Sequence, residues 1–476
     1  MYKFIDNQIQ FEDFETPTGM TLHKENRWVK RAENIPWKQI EISYAKLFNN
    51  KKGNVAKPLR LALGACIIQA EYGFSDEETA LQIQEHPYMQ FFCGYKKYDD
   101  TKPPFDPSVM VHFRKRLTAE ILGEINELVI QKSLENKPSD NENDDKNNDN
   151  DDISNSGTMI VDATCAPSQI KFPQDTELLN EAREFTEKII DELHNPADGV
   201  KPRTYRKIAR KSYLNIARSK KKSAKKIRKA IRQQLGFVDR NIHIIEKMLS
   251  SGKTISEKKL QKLSTVKKLF QQQKYMYDNC THSVQNRIIS LSQPWLRPIV
   301  RGKAKASVEF GAKLDISVVD GWTRLEYHSF EAYNEATNLP EMIERYKART
   351  GRYPERILAD KIYRNRVNLG YCSARGIRLS GPALGRPKKD EIRDKRQDYI
   401  DDAERVEVER KFSLAKRKCG LGLIVTRLEE TTCHCLAMSV LLLNLRKIGK
   451  VLCDFFSNLF SWMVSFIIFQ KLVFIQ

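Results

Sequence analysis

The chain has 476 residues, of which 40% are hydrophobic and 9% aromatic, so it can build several hydrophobic cores and is not a disordered protein. It carries 81 Lys and Arg against 61 Asp and Glu, a formal net charge of +20, which points to a polyanionic partner: DNA, RNA or an anionic membrane. Nine scattered cysteines without a C-x-x-C pair exclude a disulfide framework and a conventional zinc site, and they predict a reducing compartment.

The chain begins with a short arm, residues 1–27, and a helical N-terminal domain is predicted over residues 28–135. Ser75 with Glu78 three residues later has the spacing of a capping box, which predicts a helix start. A basic helix is predicted near its end, over residues 108–117, and holds Arg114, Lys115 and Arg116. Such a module suits contact with a DNA backbone, and a plain helical oligomerisation domain is the alternative.

An acidic linker is predicted over residues 136–157. Between Asn136 and Ser156 the sequence has seven acids, two bases and almost no apolar side chain. This composition cannot bury a core, so we expect the linker to be disordered and to carry no chemistry.

A large α/β domain over residues 158–445 follows, interrupted by a helical insertion at about 174–300. Residues 201–232 hold fifteen Lys and Arg and no acid. Because these charges repel one another, we favour a phosphate-binding surface over a merely solvated helix face. The lysines predicted to bind DNA here are Lys220, Lys221, Lys222, Lys225 and Lys226.

The clearest strands lie after the insertion. Residues 308–318 alternate apolar and polar side chains with a period of two, and Asp320-Gly321 is a hairpin turn signal. A helix, two short strands at about 356–360 and 376–379, and a charged helix over 393–418 come next. This order predicts a mixed sheet with helices.

The C-terminal segment over residues 446–476 is hydrophobic. Sixteen uncharged residues lie between Asp454 and Lys471, but they include an asparagine and three serines. A spanning helix needs about 20 mainly apolar residues. We therefore expect a packed or partner-seeking helix and no membrane span. The N-terminus has no apolar stretch typical of a signal peptide.

Three acids form a candidate catalytic set. Asp162 and Asp360 each follow an apolar strand, where a rigid element can hold a carboxylate in a crevice for Mg²⁺. The helix at 400–418 offers Glu404, Glu407 and Glu409 as the third. Only Glu409 shares a helix face with the residues at i−4, i+3 and i+7, which are Arg405, Phe412 and Lys416.

With this set the chain resembles the DDE transposases of bacterial insertion sequences, which have an RNase H-like catalytic core. Arg405-x3-Glu409-x6-Lys416 matches the arginine, glutamate and lysine of that family's signature, whereas Asp402 stands where the signature has tyrosine and Tyr399 lies three residues earlier. The resemblance covers residues 28–445 except the linker. It rests on the segments RLALGACIIQAEYGFSDEETALQIQEHPYMQFFCGY, PFDPSVMVHFRKRL, KPRTYRK, RPIVRGKAKASVEFGAKLDISVVDG, YPERILADKIYRNR, GIRLSGPALGRP and RKFSLAKRKCGL.

The resemblance implies an enzyme that cleaves DNA and transfers strands at the terminal inverted repeats of its own insertion sequence. Two Mg²⁺ ions, or Mn²⁺ in their place, would be held by Asp162, Asp360 and Glu409. The implied partners are double-stranded DNA and a second copy of the chain, in the bacterial cytoplasm at the nucleoid. Further DNA-contact candidates are Arg405, Lys416, Lys361, Tyr363 and Arg364.

Two other functions stay open at the level of sequence. One is a catalytically inactive or domesticated DNA-binding protein, and the other is a nuclease of the same fold that does not transpose. The intact acids and Lys416 argue against decay, whereas the hydrophobic C-terminus would fit a damaged copy. A nucleotide is not expected, because the P-loop-like stretch at 251–254 has Lys247 where the first glycine must stand.

Overall fold

The computed structural model describes residues 2–4, 9–16, 20–48, 54–135, 154–300, 308–381, 384 and 394–449. They form two compact units. The first takes in described residues of the ranges 1–166, 313–328 and 333–476, and the second those of 167–312 and 329–332. None of the helices in these described ranges has the length and apolarity that a membrane crossing requires.

The described residues before the linker are helical. Their elements are α1 (Arg27–Asn34), α2 (Trp37–Ala45), α3 (Leu59–Tyr72), α4 (Asp76–Glu85), α5 (Pro87–Phe92), α6 (Val109–Arg116) and α7 (Ala119–Glu135). The Ser75 hydroxyl accepts the Glu78 N–H at 3.1 Å and caps α4, which confirms the helix start predicted there. Helix α3 ends at Gly73, whose positive φ of 72° suits a glycine.

Two basic residues of α6 are structural. Arg114 is buried and forms two hydrogen bonds to the Asp76 carboxylate, each at 2.7 Å. Arg116 stacks its guanidinium over the Phe48 ring at 5.0 Å. The interpretation of this helix as a DNA-contacting face is therefore corrected for these two residues, because their charges are used inside the fold.

After the linker the described residues form both strands and helices, with four helices in a row between the first two strands. The elements are β1 (Thr158–Pro167), α8 (Asp175–Leu193), α9 (Arg206–Ala217), α10 (Ala224–Ser250), α11 (Glu257–Asp278), β2 (Arg297–Val300), β3 (Val308–Val319), β4 (Trp322–Ser329), α12 (Leu339–Thr350), β5 (Arg356–Ala359), α13 (Arg366–Ser373), β6 (Arg378–Leu379), α14 (Lys395–Lys418) and α15 (residues 429–449).

The sheet of the first unit is mixed. Its strand order is β3–β1–β5–β6, with β4 also paired to β3. Strands β1 and β5 are parallel, as are β5 and β6. Asp320 and Gly321 have φ values of 50° and 73°, as a tight hairpin turn between β3 and β4 requires. The predicted mixed α/β architecture with a helical N-terminal region is confirmed.

The second unit is mostly helical. Helices α8, α10 and α11 share a core of buried aliphatic residues, among them Leu179, Val238 and Leu269. Strand β2 pairs antiparallel with the first four residues of β3. The sequence between Lys201 and Arg232 forms α9, a short connection and the start of α10.

Helix α15 ties the C-terminal part of the first unit to its N-terminal helices. Asn444 donates to the Asn126 side chain at 2.7 Å and to the Thr323 carbonyl at 2.8 Å. His434 Nδ1 lies 2.6 Å from the Leu117 carbonyl oxygen. The predicted C-terminal helix over 446–476 falls almost wholly on residues 450–476, which lie outside the described residues.

Helix α14 is fastened to the sheet by one buried carboxylate. Asp401 is 3% exposed and accepts hydrogen bonds from Arg356 at 3.1 Å, Arg378 at 2.7 Å and Gln397 at 3.0 Å. Burial alone would raise the pKa of Asp401, but these hydrogen bonds outweigh it and hold the pKa below its ordinary value.

We expect Asp401→Asn to lower the free energy of unfolding by about 2 kcal/mol, because the buried carboxylate is shared by two guanidinium groups, although Arg356 keeps Glu404 as a partner and Arg378 is 43% exposed. Urea unfolding of the two proteins at pH 7 measures the difference. The difference should shrink in acid, since the stabilisation by a carboxylate of lowered pKa disappears as it becomes protonated. Asp402→Asn, at the exposed neighbouring position, is the control and should change stability by less than about 0.5 kcal/mol. Equal losses for both variants would contradict the anchoring role.

Candidate active site

The strand register places Asp162 and Asp360 side by side. In the parallel pair, Val161 lies opposite Ala359, so the next residue of each chain segment is an aspartate. Asp360 follows β5 directly, as predicted. The position of Asp162 is corrected: β1 continues to Pro167, so Asp162 lies inside its strand, at the point where the neighbouring strand ends.

The two aspartates repel each other. Burial raises the pKa of Asp162 to about 6, and the Asp360 carboxylate acts in the same direction. A hydrogen bond from the Ala163 N–H and the charge of Arg405 act in the opposite direction. Asp360 is exposed and accepts the Lys361 N–H at 2.7 Å. Two neighbouring carboxylates of this kind favour a bound cation, which would relieve their repulsion.

Helix α14 carries the third predicted acid. Glu409 has 56% of its side chain exposed, and its Oε1 lies 3.6 Å from an Arg405 guanidinium nitrogen. Phe412 is buried, as the predicted helix face requires, and Lys416 is half-buried. Arg405 therefore interacts with both acids. It pairs with Glu409, and its positive charge acts to lower the pKa of Asp162.

The other two glutamates of α14 have different partners. Glu404 forms an ion pair with Arg356 at 2.8 Å, and Glu407 lies 3.8 Å from Lys411 Nζ. Both line a cavity formed with the β3–β4 turn and α15. Their partners agree with the prediction that these side chains leave α14 on another face.

The residues that follow Asp360 divide into exposed and structural groups. Lys361 is exposed and keeps its place as a DNA-contact candidate. Tyr363 is fully buried, so its assignment as a DNA contact is corrected. The Arg364 guanidinium donates to the carbonyls of Leu379 and Ser380, so it anchors the end of β6 and is corrected in the same way.

Sequence reasoning missed a second pair of acids beside this site. Asp315 on β3 is completely buried and accepts hydrogen bonds from the Tyr333 hydroxyl at 2.6 Å and the Asn338 amide at 2.7 Å. Burial raises its pKa to about 6. Glu335 forms an ion pair with Lys313. In the sequence, Asp315 stands at a polar position of β3, and the apolar–polar alternation alone would place its side chain in solvent.

The donor set suits a hard divalent cation only in part. Asp162 and Asp360 supply adjacent carboxylate oxygens, which Mg²⁺ and Mn²⁺ prefer. No group of three or more His, Cys, Asp or Glu in the described ranges is arranged to hold a metal ion. The carboxylate oxygens of Asp162 and Asp360 therefore suit a divalent cation. The Glu409 carboxylate would have to move closer to them to become the third ligand.

The predicted basic surface belongs to the second unit. Its five lysines lie in the connection between α9 and α10 and in the first turn of α10, and all are exposed. None of them forms an ion pair with an acid of the described residues, in contrast to Lys201, which pairs with Asp191 at 2.5 Å. A groove of about 470 Å³ between α9 and α10 is lined by the further lysines Lys211 and Lys229, together with Lys226.

Comparison with known proteins finds two parts of the chain that are similar to transposase domains. A family model described as "Transposase DDE domain" matches residues 357–446, and one described as "Transposase domain (DUF772)" matches residues 19–116. The first match contains Asp360, Arg405, Glu409 and Lys416. Together the matches confirm the resemblance to insertion-sequence DDE transposases.

One curated relative has no described activity. An "Uncharacterized protein ORF8 in nfe locus" from Rhizobium meliloti is 26% identical over 191 residues, which are 40% of this chain and 83% of that protein. No solved structure matches the chain.

Proposed function

We propose that this chain, which carries both of these transposase domains, catalyses metal-dependent DNA cleavage and strand transfer at the terminal inverted repeats of its own insertion sequence. The observation that carries the proposal is the β1–β5 register, which sets Asp162 beside Asp360 within reach of the Arg405 charge. Helix α14 supplies Glu409 as the third acid. The strand order, with β1 between β3 and β5 and parallel to β5, supports an RNase H-like core.

In the proposed site, Asp162 and Asp360 would hold divalent cations, two Mg²⁺ ions in the active form with Mn²⁺ as substitute, and Glu409 would complete the ligand set. The cations would neutralise charge on the phosphodiester and activate the attacking hydroxyl. Arg405 pairs with Glu409 in this structure. We propose that Arg405, Lys416 and Lys361 bind phosphates beside the scissile bond when DNA is present. Phosphoryl transfer depends mainly on such positioning and charge neutralisation, so no covalent nucleophile is needed.

The experiment that tests this proposal uses the DNA that flanks the gene. Purified protein is incubated with a DNA fragment that carries the inverted repeats on either side of the gene, in Mg²⁺, in Mn²⁺ and in EDTA. We expect cleavage at the inverted repeats with both metals and none in EDTA. Binding without cleavage under every condition would instead favour the alternative, a catalytically inactive or domesticated DNA-binding protein. Cleavage without joined products would favour a nuclease.

The five exposed lysines of the second unit are the proposed phosphate-binding surface. Replacing Lys220, Lys221, Lys222, Lys225 and Lys226 with Gln should weaken binding to all DNA sequences alike. It should also flatten the dependence of log K on log salt by up to about 0.9 for each phosphate that the variant no longer neutralises. Fluorescence anisotropy from about 50 to about 300 mM salt measures the slope.

The matched control removes lysines that already have partners. Lys259 pairs with Glu192, and Lys267 lies 2.6 Å from Glu246, so the Lys259→Gln, Lys267→Gln variant should keep the slope of the wild type. An unchanged slope for the five-lysine variant would show that its surface is merely solvated.

We further propose that the protein acts as a homodimer on double-stranded DNA, at the bacterial nucleoid. Joining two transposon ends calls for two active sites, and light scattering with and without end DNA tests the stoichiometry. A monomer on one DNA end under all conditions would contradict it.

A further inference from the structure

One tyrosine hydroxyl is buried beside the candidate active site with no hydrogen-bond partner among the described residues. Tyr363 is 0% exposed, and its ring packs in the core beneath the sheet. A buried donor that lacks an acceptor destabilises a fold, whereas phenylalanine would fill the same space without that cost. The hydroxyl therefore calls for an explanation beyond packing.

The backbone holds this tyrosine firmly in place. It ends the short helical turn Lys361–Tyr363, its N–H donates to the Asp360 carbonyl at 3.0 Å, and its own carbonyl accepts the Asn368 side chain at 2.8 Å. After burial, which acts most strongly, the carboxylates of Asp315, Asp162, Glu335 and Asp360 all raise the pKa of Tyr363. The Tyr363 ring also shares its core cluster with Val161 and Ala359, the residues directly before Asp162 and Asp360, so the hydroxyl lies in the neighbourhood of the aspartate pair.

Asp162 is the most suitable acceptor among these four carboxylates. Asp315 already accepts two side-chain hydrogen bonds, Glu335 forms an ion pair, and Asp360 is exposed. Asp162 is half-buried, and its carboxylate accepts the Ala163 N–H, which leaves acceptor positions on a group that can take several hydrogen bonds. The unpaired donor and this carboxylate complement each other.

We propose that Tyr363 is a positioning residue, whose hydroxyl donates to the Asp162 carboxylate when Asp162 binds a divalent cation and so fixes the orientation of that ligand. The inference rests on the proposed function. A neutral donor is suited to the role, because it holds a carboxylate without adding a charge that would compete with the cation.

The test is Tyr363→Phe in the full chain, with Mn²⁺ alone as the probe. We expect isothermal calorimetry to show Mn²⁺ affinity at least about tenfold weaker than in the wild type, as for other residues that support metal ligands. The unfolding midpoint without metal should stay the same or rise. Tyr333→Phe is the control, because it removes a hydroxyl that already has a partner, and it should lower the midpoint.

Two results would overturn the inference alone. Equal Mn²⁺ affinities for Tyr363→Phe and the wild type would show that the hydroxyl does not support the ligand. A lowered midpoint for Tyr363→Phe would show that it serves the fold. By contrast, a wild type that binds no Mn²⁺, or an Asp162→Asn variant that binds as well as the wild type, would overturn the proposed metal site and the inference together.

Discussion

Asp162→Asn and Asp360→Asn are each expected to reduce metal-dependent cleavage of the transposon ends by at least about a thousandfold, because each removes a carboxylate that we propose as a ligand of the cation. Binding of end DNA should stay within a few-fold of the wild type, since neither residue is proposed to contact a phosphate. Cleavage assays in Mg²⁺ and in Mn²⁺, with anisotropy on the same fragment, measure the two effects. Near-normal cleavage by either variant would remove that residue from the site.

The same Asp162→Asn substitution should stabilise the fold. The pKa of Asp162 is raised to about 6 in the folded protein, so the ionised carboxylate destabilises the folded state at neutral pH. The neutral amide should therefore raise the free energy of unfolding by on the order of 2 kcal/mol at about pH 8. This gain should decline as the pH falls from about 6 to below about 4, where the wild-type group is protonated in both states. Loss of activity together with loss of stability would instead indicate damage to the fold.

Glu409→Gln is expected to abolish cleavage at every Mg²⁺ concentration, whereas Glu404→Gln and Glu407→Gln should keep most activity. Successive helix residues turn by about 100°, so Glu407 lies roughly 160° away from Glu409 around α14. The structure gives each of the other two a separate partner, Arg356 for Glu404 and Lys411 for Glu407. Titration of Mg²⁺ in the cleavage assay distinguishes a lost ligand from a weakened one.

The two control glutamates also separate catalysis from stability. Glu404 is part of the ion-pair group that fastens α14 to β5, so its replacement should cost about 1 kcal/mol of stability and little activity. Loss of cleavage in Glu404→Gln or Glu407→Gln, with Glu409→Gln active, would contradict the assignment of the third acid.

Local signals in the sequence predict local features correctly. The capping serine before α4 and the Asp320-Gly321 turn depend on a few adjacent residues, so their chemistry is visible in the chain itself. The two neighbouring aspartates are also found from sequence, because each follows an apolar run. The third acid is selected by helix geometry, and its place in the active site stays a prediction.

The errors arise where distant parts of the chain meet. Arg114 is wrongly assigned to a DNA-contacting helix because its partner, Asp76, lies 38 positions away. Tyr363 is wrongly expected on the surface because burial depends on the whole core. Asp315 escapes notice because alternation along β3 does not reveal that both faces of a strand are covered. Tertiary contacts decide each of these positions.

The hydrogen bonds of Asn444 have a consequence for synthesis on the ribosome. They join α15 to Asn126 across 318 positions of the chain. At about 5–20 residues per second, the N-terminal helices leave the ribosome roughly 15–60 seconds before α15 is made. During that time the surface that α15 will cover is open, so the nascent chain presents apolar groups to chaperones. The first unit, which includes Asp162 and Asp360, can reach its final packing only after α15 has been translated.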